Sequence, residues 1–150
     1  MNLPKGDRAV VVSSDTDLYQ LLSTRVSIWK PHKKEIYTSK DFSRDYYNLD
    51  PIQWVQVKAL AGCTSDAIPG IPGVGEVTAG KFLRGLLKPA SKAYQSIERF
   101  QSVWQNNLPL VRLPFEGTMI PKIQTDEVSP DKWRNLAQRL GMKSLLRDSS

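Results

Sequence analysis

Residues 68–75, Ile-Pro-Gly-Ile-Pro-Gly-Val-Gly, constrain this chain more than any other segment. The glycines let the backbone take tight or positive-φ turns and leave no Cβ between the main chain and a ligand. A loop is therefore expected from Cys63 to Gly75, and Gly75 opens directly into Glu76-Val-Thr-Ala-Gly-Lys81, predicted as a helix running to about Leu87. Free N–H groups and the dipole at that helix start favour an anion. Ahead of the loop, Asp50 caps a second helix with Pro51 at its first position. Trp54, Val57 and Ala61 line one stripe of it, and it ends at Gly62. After the loop, Lys81, Arg84 and Lys88 recur at spacings of three and four, hence on one helical face, and Lys92 extends the row. Alone, such a loop is often only a turn and such a row a solvated surface. Side by side they read as a grip on the phosphates of DNA, which positions a duplex without reading its sequence.

The N-terminal third has a different character. Ala9-Val-Val-Val-Ser13 is β-branched and apolar on both faces, which predicts a strand buried on two sides of a parallel sheet. An acidic turn, Ser14 to Asp17, leads into Leu18, Leu21 and Leu22 at helical spacing. Val26 to Trp29 and Glu35 to Tyr37 flank a polar turn, Pro31 to Lys34, as in an edge hairpin. Ser39 reads as an N-cap for a helix to about Tyr47, and further helices are expected over 93–106 and 130–140. The fold class is α/β, with a partial α/β segment over 1–50 and a helical DNA-binding region over 51–150. Asp15 and Asp17 stand at the carboxyl end of the first strand, where open α/β sheets place ligands. If extended geometry persists they point to one side and suit a hard cation; otherwise an Asp-x-Asp caps the following helix.

Composition adds modest limits. A net charge of +6 and a pI near 9.5 favour a polyanionic partner. Cys63 is the sole cysteine, so an intrachain disulfide is excluded. The longest apolar run near the start, Ala9 to Val12, is too short for a signal peptide or a membrane span, so a cytoplasmic protein without a membrane partner is expected. His32, beside Lys33 and Lys34, reads as a surface residue. Trp54, Trp104 and Trp133 read as packing residues, whereas Trp29 ends a strand.

Two blocks together resemble the 5′-nuclease (flap endonuclease) family: Val12-Ser-Ser-Asp-Thr-Asp-Leu-Tyr-Gln-Leu-Leu22, and Lys58-Ala-Leu-Ala-Gly-Cys-Thr-Ser-Asp-Ala-Ile-Pro-Gly-Ile-Pro-Gly-Val-Gly75. Their order and spacing match, from about Val10 to Leu87, with a weaker echo at Asn107 to Leu113. The resemblance implies the C-terminal part of a mixed sheet with flanking helices, followed by a helix–three-turn–helix. It implies 5′→3′ exonuclease and structure-specific endonuclease cleavage of duplex, flap or 5′-ended DNA. Mg²⁺ or Mn²⁺ would be used in two-metal fashion, with Asp15, Asp17 and Asp66 as ligands. DNA would lie against Gly70, Gly73, Gly75, Thr78, Lys81, Arg84 and Lys88, and a K⁺ ion against the carbonyls of Ile71 and Val74.

The chain departs from the family pattern at three places. Cys63 stands where an acidic residue is usual, Ala67 where asparagine is, and Val77 where lysine is. A thiolate accepts softer metals than Mg²⁺. Family members also carry a strand and further acidic residues upstream of the Asp-x-Asp. The resemblance therefore implies a separate polypeptide supplying an N-terminal nuclease half for catalysis. The alternatives are a non-catalytic DNA-binding module derived from such a nuclease, or a scaffold that binds a protein through its sheet edge.

Overall fold

The computed structural model describes residues 3–119, 129–143 and 146. The chain forms two compact units, 1–118 and 119–150, of which the first contains the sheet and the glycine loop.

Among the described residues the sheet has three strands in the order β1-β2-β3: β1 (Ala9–Val12), β2 (Val26–Lys30) and β3 (Glu35–Tyr37). β1 runs parallel to β2 with Val12 opposite Trp29, and β2 pairs antiparallel with β3, Ile28 opposite Tyr37. The sheet is thus mixed, as expected of the α/β class. The two-sided burial expected for β1 is not found: it is an edge strand, Val11 packs against the core, and Val10 and Val12 are 54% and 68% exposed. β-branched side chains favour extended backbone whichever face covers them, so the run specifies a strand and not its surroundings.

Helix α1 (Ser39–Asp45) is capped by Thr38, one residue before the expected Ser39. Thr38 Oγ1 accepts from the Asp41 N–H at 3.3 Å, and Asp41 Oδ2 accepts from the Thr38 N–H at 3.0 Å. The Thr38 hydroxyl also donates to Asp41 Oδ2 at 2.6 Å, and this bond, with that from the Thr38 N–H, holds the Asp41 carboxyl below the usual range. Tyr47 and Asn48, at φ 54° and 56°, turn the chain after α1. A 3₁₀ turn, Pro51–Gln53, then enters α2 (Trp54–Ala61), as Asp50-Pro51 predicted.

The core is aromatic at its centre. Trp54 and Phe42 are fully buried at 5.6 Å between ring centroids, and Tyr19 packs against both. Burial pushes the Tyr46 phenol up to about 12 and raises that of Tyr37, which donates to Asp45 Oδ2 at 3.0 Å.

Helix α3 (Glu76–Leu83) is shorter than expected, because Gly85 at φ 66° follows the Arg84 cap. The single helix expected over 93–106 is two, α4 (Lys92–Arg99) and α5 (Gln101–Val111), parted at Phe100. Buried Asn107 on α5 donates to the carbonyls of Ala59, at 3.0 Å, and Pro69, at 2.7 Å, fastening the glycine loop to α2. Buried Gln20 likewise donates to Val111 O at 2.8 Å and accepts from the Leu113 N–H at 3.1 Å. In the second unit α6 (Pro130–Arg139) begins as expected, with Ser129 as cap and Pro130 at its first turn. Trp133 on it is 47% exposed, so it is not a core residue within that unit. No helix among the described residues is long and apolar enough to cross a membrane.

Candidate functional site

The acidic turn after β1 does not stay extended. A 3₁₀ helix begins at Thr16, and Asp15 serves as its N-cap, with Oδ1 accepting from the Asp17 N–H at 2.9 Å. The two aspartates therefore diverge: the capping duty falls on Asp15, and Asp17 faces the loop after α2. There, one ligand atom each from Asp17, Cys63 and Asp66 lies within 4.8 Å of the others. Asp15 is not in this group, and buried Cys63 is, so the trio differs from the expected Asp15, Asp17 and Asp66 by one member.

The loop closes on itself to make this possible. Cys63 and Ile68 exchange both backbone hydrogen bonds, each at 3.0 Å, which folds the intervening residues into a tight excursion. Ala67 sits at φ 54°, a left-handed conformation that asparagine tolerates better than alanine. Within the excursion the Cys63 thiol donates to Asp66 Oδ2 at 2.9 Å and lies 3.1 Å from Ser65 Oγ.

Sequence reading missed Lys58. It is buried, with Nζ 2.9 Å from Asp17 Oδ1 and 3.3 Å from Glu76 Oε1. Burial alone would lower its ammonium. The hydrogen bond and charge of Asp17, with those of Glu76, outweigh burial and hold it above the usual lysine range. Lys58 therefore joins the acidic cluster to the first turn of α3. The signal was present: residues 54, 57, 58 and 61 fall on one helical stripe, and a lysine within an apolar stripe requires carboxylate partners.

The glycines divide into two pairs. Gly62 and Gly70 pack backbone against backbone: a Cβ at Gly70 would lie 2.0 Å from Ala61 O, and one at Gly62 would lie 2.3 Å from Gly70 N. The Ile71 N–H donates to Leu60 O at 2.9 Å beside this contact. At Gly73 and Gly75, by contrast, a Cβ would meet nothing within 4 Å. Gly73 requires glycine for its φ of 77°, whereas Gly75, at φ −95°, does not. No side chain caps α3, so the start of the helix is bordered by exposed glycine backbone. Thr78 is half-buried in its first turns, and Val77 beside it is 56% exposed. Ile71 O accepts from the Val74 N–H at 3.0 Å, and both residues are buried.

The basic row is broken. Lys81 lies on α3 with Nζ 5.7 Å above the Tyr47 ring, but Arg84 is the C-cap and Lys88 follows the end of the helix. The three do not share one helical face, because Gly85 terminates α3 before the periodicity reaches residue 88.

Two carboxylates and a thiol at this spacing fit one divalent ion. Ligand bonds of about 2.1–2.3 Å put neighbouring donor atoms roughly 3–4 Å apart, so only a small contraction is needed. An ion there would replace Lys58 as the counter-charge of Asp17 and the thiol proton as the partner of Asp66.

Comparison with known proteins bears on what such a site belongs to. No family model matches the chain. It is 54% identical over 71 residues to a 5′-3′ exonuclease of Halalkalibacterium halodurans, covering 46% of this chain and 23% of that protein. It is 30% identical to the thermostable DNA polymerase I of Thermus aquaticus over 96% of this chain and 18% of the relative. A 5′-3′ exonuclease of Buchnera aphidicola is 32% identical over 66% of this chain. In structure, T5 5′-exonuclease with bound divalent zinc superimposes with a TM-score of 0.64 at 25% identity, over 72% of this chain and 44% of that one. The chain belongs to the 5′-nuclease family. Its mixed sheet and helices match the fold of that neighbour. The chain spans only 18–34% of the length of these three sequence relatives.

Proposed function

We propose that this 5′-nuclease chain is the C-terminal portion of a metal-dependent 5′→3′ exonuclease or flap endonuclease that holds duplex or branched DNA by its phosphate backbone. One observation carries the reading: Lys58 ties the Asp17–Cys63–Asp66 cluster to the first turn of α3, so an ion site and a helix N-terminus open to phosphates form one connected unit. Asp17, Cys63 and Asp66 hold the divalent ion, which when bound supplies an activated water and neutralises charge on the scissile phosphate. Gly73, Gly75, Thr78 and Lys81 form the DNA grip, with Gly70 seating the loop against α2 and Arg84 and Lys88 adding charge beyond the helix. In the helix–three-turn–helix reading, the carbonyls of Ile71 and Val74 turn toward K⁺. Asp15 keeps a supporting role by fixing the turn that presents Asp17.

Binding without sequence preference is expected to weaken steeply with salt. If three to five phosphates are neutralised, log K falls with log[salt] at a slope of about −3 to −5. Fluorescence anisotropy on a branched duplex from low to moderate salt measures this, and binding indifferent to salt removes the backbone reading.

The two carboxylates and one thiol suffice for a single ion, whereas in-line cleavage is helped by two, about 4 Å apart. Purified alone, the 150-residue chain is therefore expected to show little 5′→3′ degradation of duplex DNA. Activity in Mg²⁺ or Mn²⁺ is expected when a polypeptide carrying the further acidic residues is added; the free edge and exposed Val10 and Val12 of β1 offer it a place to dock. Robust turnover by the chain alone, lost in Asp17→Ala, is the result that ends this view. A second reading, a DNA-binding module without chemistry, is favoured by one detail: Asp66 Oδ2 is already engaged by the Cys63 thiol at 2.9 Å. Binding without cleavage under every pairing would support it.

A further inference from the structure

We propose that the cleft lined by Ser14, Tyr19, Lys30, His32 and Lys33 takes a phosphate group of the DNA strand that reaches the Asp17 cluster, an assignment that rests on the DNA-binding reading above. The topology sets it up. β1 and β2 are parallel and in register, Val12 opposite Trp29, so their carboxyl ends leave the sheet together. Ser14 follows the first and Lys30 ends the second, at the end where α/β sheets hold ligands. The turn that supplies Ser14 supplies Asp17 three residues later, so the two are at most about 10 Å apart along the chain. One turn thus contributes Ser14 to a basic cleft and Asp17 to an acidic cluster. A strand carrying phosphates at regular intervals matches that pairing: one phosphate faces the ion ligands while another lies in the cleft.

The cleft has cationic charge to offer. Lys30 Nζ lies 3.2 Å from the centre of the Tyr37 ring and 5.0 Å from that of Tyr19, two rings stacked at 5.0 Å. Ring faces hold the ammonium in place without neutralising it. Among the described residues no carboxylate pairs with Lys30, and Lys33 meets only Glu35, at 3.9 Å between exposed groups. Such an exposed pair is weak and yields to a phosphate. Ser14 adds a hydroxyl donor and His32 a ring N–H. The volume of about 220 Å³ accommodates a phosphate with a few waters, at roughly 30 Å³ each.

The test is ¹⁵N-resolved NMR of the full chain titrated separately with a 5′-phosphorylated oligonucleotide, the same oligonucleotide with a 5′-hydroxyl, and inorganic phosphate. Salt-dependent anisotropy of Lys30→Gln/Lys33→Gln, and of His32→Ala/Lys33→Gln, which touches exposed residues only, runs alongside. Saturable shifts at the amides of residues 14, 30, 32 and 33 with either DNA are expected. They should be accompanied by a salt slope shallower by about 1 for each phosphate that the variant no longer neutralises. Shifts with both DNAs assign a backbone phosphate, and shifts with the phosphorylated strand alone assign its terminal phosphate. Shifts at the glycine loop with none in the cleft, and unchanged slopes in both double variants, overturn the cleft while leaving the loop grip standing. Saturation by inorganic phosphate with no response to DNA overturns the nucleic-acid assignment, as does failure of the native chain to bind DNA at all.

Discussion

Gly70→Ala is expected to destabilise the first unit by about 4 kcal/mol or more, and Gly75→Ala by no more than about 0.5 kcal/mol. At Gly70 the added methyl would lie 2.0 Å from Ala61 O and 2.3 Å from Ala61 C, both main-chain atoms at the end of α2. No rotamer change relieves that clash. Relief requires separating the loop from α2 and losing the Ile71 N–H bond to Leu60 O together with the two Asn107 bonds that clasp Ala59 and Pro69. Against a typical total stability of about 5–15 kcal/mol, such a loss removes between about a quarter and four-fifths of the margin. Gly73→Ala should fall between, costing about 1–2 kcal/mol, because its φ of 77° disfavours any Cβ while the space around it is open. Function should rank differently: a β-branched residue at Gly73 or Gly75 is expected to weaken DNA binding more than loss of any single lysine, by blocking phosphate approach to the N–H groups of α3. Urea unfolding and anisotropy on the same variants separate the two effects. A Gly70→Ala chain as stable as the native one would mean that the loop does not pack on α2 in this way.

That contrast shows where the sequence was readable. The elements flanking the loop were legible because their signals are local: Asp50-Pro51 starting a helix, Ser129-Pro130 starting another, apolar periodicity placing Trp54 in the core. The glycines were legible as a group but not by role, since close approach of Gly62 to Gly70 is a tertiary fact that depends on how the chain between them folds back. The Asp-x-Asp pair is compatible in sequence with either an extended or a capping geometry, and the outcome turned on a competition between strand and 3₁₀ geometry. The Asp15 carboxylate bonding the Asp17 N–H settled it locally. The edge position of β1 is equally invisible in Ala-Val-Val-Val, whose composition is the same at an edge or a centre. Lys58 had a local signal, a charge in an apolar stripe, but its partners, Asp17 and Glu76, stand far before and after it in the chain, so their identity was not readable.

Cys63→Asp is expected to raise the affinity for Mg²⁺ about tenfold or more, and the native chain to prefer thiophilic ions such as Cd²⁺ or Zn²⁺ over Mg²⁺. The prediction rests on the proposed ion site at Asp17, Cys63 and Asp66. Without an ion the Cys63 S–H donates to Asp66 Oδ2 at 2.9 Å, which occupies one of the two carboxylates. A thiol ligates a divalent ion as thiolate, so metal binding through sulfur releases a proton and strengthens with pH. Mg²⁺ gains little from sulfur and keeps most of its water, whereas a soft cation gains a strong bond. Aspartate at 63 would replace a proton donor by a third hard anion within reach of the same ion, at the further cost of repulsion between three carboxylates in the apo chain, which Lys58 only partly offsets. Calorimetric titration with Mg²⁺ measures the gain, and near-ultraviolet thiolate-to-Cd²⁺ charge-transfer absorption, absent in Cys63→Ser, reports sulfur as a ligand. If Mg²⁺ binds the native chain as tightly as the aspartate variant and no such absorption develops with Cd²⁺, the thiol is a packing group and the ion, if one binds, is held elsewhere.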